Sequence, residues 1–186
     1  MNAFESIVAW LLEREGHWVR TSFKVNLTKA DKRQIGRPSS PRWEIDVVAY
    51  EAKSNEVLAV ECKSFLDSAG VRFAALVGKD AEGAKRYKLF NGTKLRNVVL
   101  KRLVKQLSAE GACRETAKAR LCLAAGKIAS QQDHSSLRRH FDKKGWLLFD
   151  RAWLQTRLEE AAKSPYEDNV AIVAAKLLRR KPERLS

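Results

Sequence analysis

Cysteine is scarce: Cys62, Cys113 and Cys122 are the three thiols of 186 residues, an odd number with no metal-site spacing. Two of them fall in strand-like stretches, where a reduced thiol behaves as a small hydrophobe. The expectation is a reducing, cytoplasmic compartment. Long apolar runs are missing too. No stretch approaches the ~20 residues that cross a bilayer, and Met1-Asn2-Ala3-Phe4-Glu5 carries no basic segment of the kind that opens a secretory signal. A soluble, non-exported protein without a membrane partner is expected. Repeats and low-complexity tracts are absent. His17, His134 and His140 have no mutual spacing that suggests a metal or a triad, which leaves them surface or packing roles. Acidic residues are in deficit, 22 against 36 Lys and Arg, for a formal charge of +14. A field of that sign favours a polyanion, most commonly nucleic acid. A soluble basic or ribosome-associated protein has the same charge.

What is present describes a folded chain. A hydrophobic fraction of 45% and five tryptophans are enough for one domain with a full core, and the length is short for two. Residues 3–15 place Phe4, Ile7, Val8, Leu11 and Leu12 at helical spacing, with Gly16 as a stop. Residues 17–27 alternate loosely as a first strand. Residues 28–42 hold Lys29, Lys32, Arg33, Arg37 and Arg42 among Gly36, Pro38, Ser39, Ser40 and Pro41, a basic surface loop. Helices are expected over 82–90 and 94–109, the first broken by Asn91-Gly92. The segment from Lys79 to Lys105 forms a second basic surface. A strand follows over 117–125, then a helix capped by Asp133 and ended by Gly145, a buried strand over 146–149 and a helix over 151–163. Ser164-Pro165-Tyr166-Glu167 predicts a final helix start, and Arg179, Arg180 and Lys181 its end. The order α-β-β-β-α-β-α-β-α-α implies one mixed sheet with helices on both faces. Residues 164–186 should form a C-terminal helix packed on the domain built from 1–163.

The chemistry concentrates at residues 43–63. Period-two alternation predicts strands over about 42–50 and 56–65, joined by the turn Lys53-Ser54-Asn55. Glu61 and Lys63 then share one face of the second strand, with Val60 and Cys62 on the other. Ile45, Val47 and Ala49 share a face of the first, so Asp46 points the opposite way. Charged side chains within apolar strands are costly unless paired or bound to metal. Alternatively, Glu61 and Lys63 belong to a salt bridge on a solvated face. Leu58-Ala59-Val60 and Ile45-Val47-Val48 favour a buried hairpin instead.

Asp46 followed by Glu61-Cys62-Lys63, behind a helix carrying Glu5, resembles the PD-(D/E)xK nuclease superfamily of restriction endonucleases and Holliday-junction resolvases. Glu44-Ile45 stands where many members have Pro before the acid. The strand-helix-strand-helix order over 117–163 looks like the tail of Mrr-type enzymes. The resemblance implies an α/β fold with a restriction-endonuclease-like mixed sheet. It further implies a metal-dependent endonuclease that hydrolyses DNA phosphodiesters, with RNA a less favoured substrate. Asp46, Glu61 and the Cys62 backbone carbonyl would hold Mg²⁺ or Mn²⁺, Lys63 would position the attacking water, and Glu5 would support the site. A homodimer is plausible because members often cut two strands.

Two alternatives stand beside these roles. Asn2 and Glu5 also make a capping box, and Glu44 is a ligand or a surface partner of Arg42. Tyr87, among Lys85, Arg86 and Lys88, either contacts nucleic acid or packs inward. Lys29, Lys32, Arg33, Arg37 and Arg42 should contact mostly phosphates. The competing function is a DNA- or RNA-binding module that keeps the fold without catalysis.

Overall fold

The computed structural model describes residues 2–36, 42–165, 167 and 169–179. The chain opens with α1 (Ala3–Arg14), whose Val8, Leu11 and Leu12 are buried. It continues through β1 (Trp18–Val25), α2 (Lys29–Gln34), β2 (Trp43–Glu51) and β3 (Glu56–Lys63). Asn55 takes the left-handed conformation in the β2–β3 turn (φ 56°), one that Asn tolerates better than most residues. Three single turns follow, α3 (Phe73–Leu76), α4 (Ala81–Ala84) and α5 (Lys88–Asn91), and then the long α6 (Thr93–Ala109). The last elements are β4 (Lys118–Ala125), α7 (Gln131–Lys144), β5 (Leu147–Phe149), α8 (Arg151–Lys163) and α9 (Val170–Arg179).

Among the described residues the strands form one mixed sheet in the order β1-β2-β3-β4-β5. The pairs β1–β2 and β2–β3 are antiparallel, whereas β3–β4 and β4–β5 are parallel. Parallel neighbours need crossovers, and α6 and α7 supply them. Both faces are covered, as the sequence pattern predicts. On one face Leu95, Val99, Leu103 and Leu107 of α6 pack with Leu137 and Phe141 of α7 over Val48, Val57, Ala59, Leu121 and Leu123. On the other, Val8, Leu11 and Leu12 of α1 and Leu154 of α8 cover Val47, Leu58, Val60, Cys62, Cys122 and Ala124. No helix among the described residues is long and apolar enough to cross a membrane.

Several expectations need correction. The stretch 28–36 is not wholly loop, because Thr28 caps α2 through a reciprocal box with Asp31. The expected helix over 82–90 is two short turns, α4 and α5, separated around Arg86 and Tyr87. Ser130, not Asp133, caps α7, and Asp133 occupies the third helical position, accepting from the Ser130 hydroxyl at 2.6 Å. The final helix begins at Val170, where the Asn169 side chain accepts the Ala171 N–H at 2.9 Å. Pro165 therefore lies before the helix, not at its first position. Tyr166, Arg180 and Lys181 lie outside the described residues.

Leu103 is fully buried where α6 meets the sheet. Leu103→Ala should cost about 2–5 kcal/mol of unfolding free energy, read from the urea midpoint at unchanged m-value.

Candidate active site

The site forms where the central hairpin opens. The β2–β3 ladder runs from Glu51↔Glu56 to Val47↔Val60 and stops there. One residue further on, the Asp46 Oδ2 accepts the Cys62 N–H at 2.7 Å. A side-chain oxygen thus occupies the place of the next backbone acceptor, and the carboxylate is fixed between two diverging strands.

The β1–β2 pairing breaks at the same level. Thr21 pairs with Val47 and Phe23 with Ile45, but the Ser22–Asp46 step between them is skipped. Ser22 is left-handed there (φ 49°), a conformation uncommon outside Gly, Asn and Asp. Both strands turn over at this point. Val19, Val47 and Ala49 pack in the cluster under α1, while Phe23, Val25 and Ile45 pack in the cluster under α6. The expectation that Ile45, Val47 and Ala49 share one face is therefore wrong, because strict alternation assumes an unbroken ladder.

β3 keeps its alternation. Val60 and Cys62 lie in the α1-side cluster, and Glu61 and Lys63 point the other way. Both charged side chains are largely covered, at 19% exposure each, and the Lys63 Nζ donates to the Glu61 Oε1 at 2.6 Å. Burial raises the Glu61 carboxyl above its ordinary value, and the neighbouring Asp46 and Glu5 charges add to this, whereas Lys63 opposes it. The Lys63 carbonyl faces β4, where it accepts the Gly126 N–H at 3.0 Å. Backbone directions alternate along a strand, so the Cys62 carbonyl points toward β2, into the gap that holds Asp46. The Cys62 thiol is 7% exposed and its pKa is pushed up by burial and by the Asp46, Glu5 and Glu61 charges, so it is a core group rather than a thiolate.

Glu5 takes up the capping role that its position offers. It closes a capping box: Asn2 Oδ1 accepts the Glu5 N–H at 3.0 Å, and Glu5 Oε2 accepts the Asn2 N–H at 3.1 Å. Its charge nevertheless lies close enough to raise both Glu61 and Cys62. Glu44 is exposed on β2 beside Arg42, a surface position. Of the basic contacts, Lys29 and Arg33 are exposed on α2, Lys32 is half-buried and Arg42 is exposed before β2. Arg37 lies outside the described residues. The antiparallel order puts α2 at the end of the sheet where β3 ends and β2 begins, the end that carries Asp46 and Lys63.

Tyr87, Arg72 and Arg86 complete the surroundings. Tyr87 is 2% exposed and packs inward against Phe90. Burial pushes its phenol up to about 12, with Arg86 and Arg72 opposing and Glu61 adding to the rise. The phenol thus stands within electrostatic reach of Glu61, and the Arg72 guanidinium itself donates to Asp80 at 2.6 Å. The basic run around Tyr87 was the signal available in the sequence, but Arg72 carries no motif. His17 and His140 have packing roles: the ring of His17 contacts the Leu12 carbonyl, and His140 sits edge-on to Phe73 and Trp146.

Among the described residues no three His, Cys, Asp or Glu side chains gather closely enough to hold a metal ion. The oxygens available at this end of β3 are the Asp46 and Glu61 carboxylates, which influence one another electrostatically, and the Cys62 backbone carbonyl. Hard oxygens in that small number suit Mg²⁺, which commonly takes one or two carboxylates and completes its shell with water and substrate phosphate. Comparison with protein families, with curated proteins and with solved structures gives no match. The resemblance to PD-(D/E)xK nucleases thus rests on the sequence pattern of Asp46, Glu61 and Lys63 alone.

The raised Glu61 carboxyl has a consequence for stability. The folded chain holds that proton more tightly than the unfolded chain, so stability falls as pH climbs above the ordinary 4.5. Glu61→Gln should flatten this decline, with a higher melting temperature than wild type near pH 8 and little difference near pH 4. Thermal melts across pH, without divalent metal, read this directly.

Proposed function

We propose that the protein is a metal-dependent nuclease that hydrolyses DNA phosphodiester bonds at the Asp46–Glu61–Lys63 site. The observation that carries this reading is the Asp46 carboxylate held in the opened hairpin, hydrogen-bonded to the backbone of the residue between Glu61 and Lys63. No purely structural need is met by opening a buried hairpin onto three charged side chains, whose burial is costly.

Asp46, Glu61 and the Cys62 carbonyl would hold the ion. A hard divalent cation there would neutralise the scissile phosphate and make water nucleophilic near neutral pH. Lys63 has a donor that is poised but engaged, because its ammonium now pairs with Glu61. With the Glu61 charge shared with a cation, that ammonium is available to orient the attacking water or to stabilise charge on the phosphorane. Lys29 and Arg33, exposed on α2 at the same end of the sheet, suit contacts to flanking phosphates, which carry affinity rather than sequence.

The non-catalytic binding module is favoured by one observation, the direct Glu61–Lys63 pair, which balances both charges without any ion. The two readings part on the lysine. For a nuclease, Lys63→Ala should lower Mg²⁺- or Mn²⁺-dependent cutting by at least about 10²-fold while DNA affinity stays close to wild type. For a binding module, the wild type cuts nothing and the substitution is silent. A plasmid, linear, branched and single-stranded DNA panel makes the comparison.

The basic side chains of α2 give a separate prediction. Lys29→Ala with Arg33→Ala should weaken DNA binding and make log K less steeply dependent on log salt, by roughly 0.9 for each duplex phosphate that is no longer neutralised. Titrations by fluorescence anisotropy at several salt concentrations measure that slope.

A further inference from the structure

A second feature adjoins this site. A cleft of about 880 Å³ opens at the carboxyl ends of β4 and β5, between α1, α7 and α8. That volume falls in the roughly 300–1,000 Å³ range of sites for small organic ligands. Its walls are apolar, with Phe4 and Ile7 from α1, Leu66 from the loop after β3, and Leu158 from α8. Leu66 is 64% exposed, a large aliphatic side chain turned to the opening.

Polar groups of mixed donor and acceptor character line the rest of the cleft; among them Lys127 donates to the Ser68 carbonyl and Ser130 to Asp133. Gln131 and Gln155 bring amides, and His134 brings an imidazole. His134 is held in place: its Nε2 lies 2.8 Å from the Oδ2 of Asp150, a residue only 2% exposed. Asp150 also accepts from the Arg138 guanidinium at 3.1 Å and from the Trp153 N–H at 2.9 Å. A buried carboxylate surrounded by donors is an acceptor, so the His134 Nε2 carries a proton toward Asp150. Apolar walls that include the Phe4 ring, with amide and imidazole groups brought in from α7 and α8, suit a heterocyclic base, which has two π-faces and a hydrogen-bonding rim. Arg151 is exposed at the mouth, suited to a phosphate beside the base.

The position of the cleft says which base. Phe4 precedes Glu5, and Leu66 lies just beyond Lys63 in the chain. Gly126, which also lines the cleft, donates its N–H to the Lys63 carbonyl at 3.0 Å. A Cβ on Gly126 would stand 2.4 Å from the Ser64 carbonyl oxygen, so the close approach of these two segments requires glycine. The cleft and the strand end bearing Lys63 are therefore one continuous piece of structure.

We propose that this cleft receives one unpaired nucleobase of a strand whose neighbouring phosphate lies at Asp46, Glu61 and Lys63. The inference rests on the nuclease reading and names its substrate class: DNA that is single-stranded, bulged or otherwise unpaired beside the cut. A fully paired duplex keeps its bases stacked and leaves the cleft empty.

The test is a binding titration in EDTA, with a short DNA carrying 2-aminopurine either as a one-nucleotide bulge or fully paired. The bulged DNA should bind at least about tenfold more tightly, and its fluorescence should be quenched on binding by stacking in the cleft. Gln155→Trp, at an exposed position of α8, fills the cleft and should abolish the preference without changing affinity for the paired duplex. Ile7→Trp fills it from α1 and serves as the second variant, both being checked by thermal melts. Equal affinity for the two DNAs, or a preference that survives both tryptophans, overturns the proposal. Because the titration contains no metal, it is independent of cutting. A protein that prefers the bulge but never cuts keeps the pocket and loses the nuclease reading, and one that cuts but shows no preference does the reverse.

Discussion

The hydrogen bond from the Cys62 N–H to the Asp46 carboxylate is the contact on which the site depends. An antiparallel hairpin has no reason to open midway, because each rung left unmade exposes a buried donor and acceptor. Asp46 resolves this by supplying the missing acceptor itself. The strands can then diverge, the carboxylate is held without a flexible tether, and the Cys62 carbonyl is turned into the same gap. On the other side of β2, the left-handed Ser22 relieves the matching rung of β1. The two irregularities lie at one level of the sheet. Local departures from ideal geometry of this kind cluster at functional sites.

Electrostatics follows from that geometry. The Asp46 and Glu5 charges add to the effect of burial on Glu61 at the end of β3, and Lys63 on the same strand opposes them. Burial amplifies each of these interactions, because the charges are only partly screened. The result is a Glu61 that resists ionisation and a Lys63 whose ammonium is tied to it. The chain as a whole carries a formal charge of +14, so this group of acids stands against the sign of its surroundings. Stability and function pull against each other here, as they do wherever charged groups are held out of water.

Much of the fold was legible because periodicity survives in most elements. The apolar spacing of Val8, Leu11 and Leu12 marks α1, and β4 and α8 fall within a residue of their expected limits. The assignment of Glu61 and Lys63 to one face of β3, with Cys62 turned inward, follows from strict alternation that β3 keeps. Ile45 was misplaced for the opposite reason: alternation is broken at Asp46 by a tertiary contact that no local pattern records. Capping residues were harder. Ser130 and Asp133 are both good N-terminal residues, and which one caps depends on where the helix begins, not on the residue type. The cleft gathered from Phe4, Leu66, Gln131 and Gln155 comes from segments far apart in the chain and has no signature before folding.

The most direct measurement is anomalous diffraction from a crystal equilibrated with Mn²⁺, paired with the same experiment on Asp46→Asn. One ion should lie within bonding distance of the Asp46 and Glu61 carboxylates and the Cys62 carbonyl, with Lys63 released from Glu61, and the variant should show no ion there. Manganese bound elsewhere, or equally in both proteins, would contradict the account and leave the opened hairpin without a metal-based role.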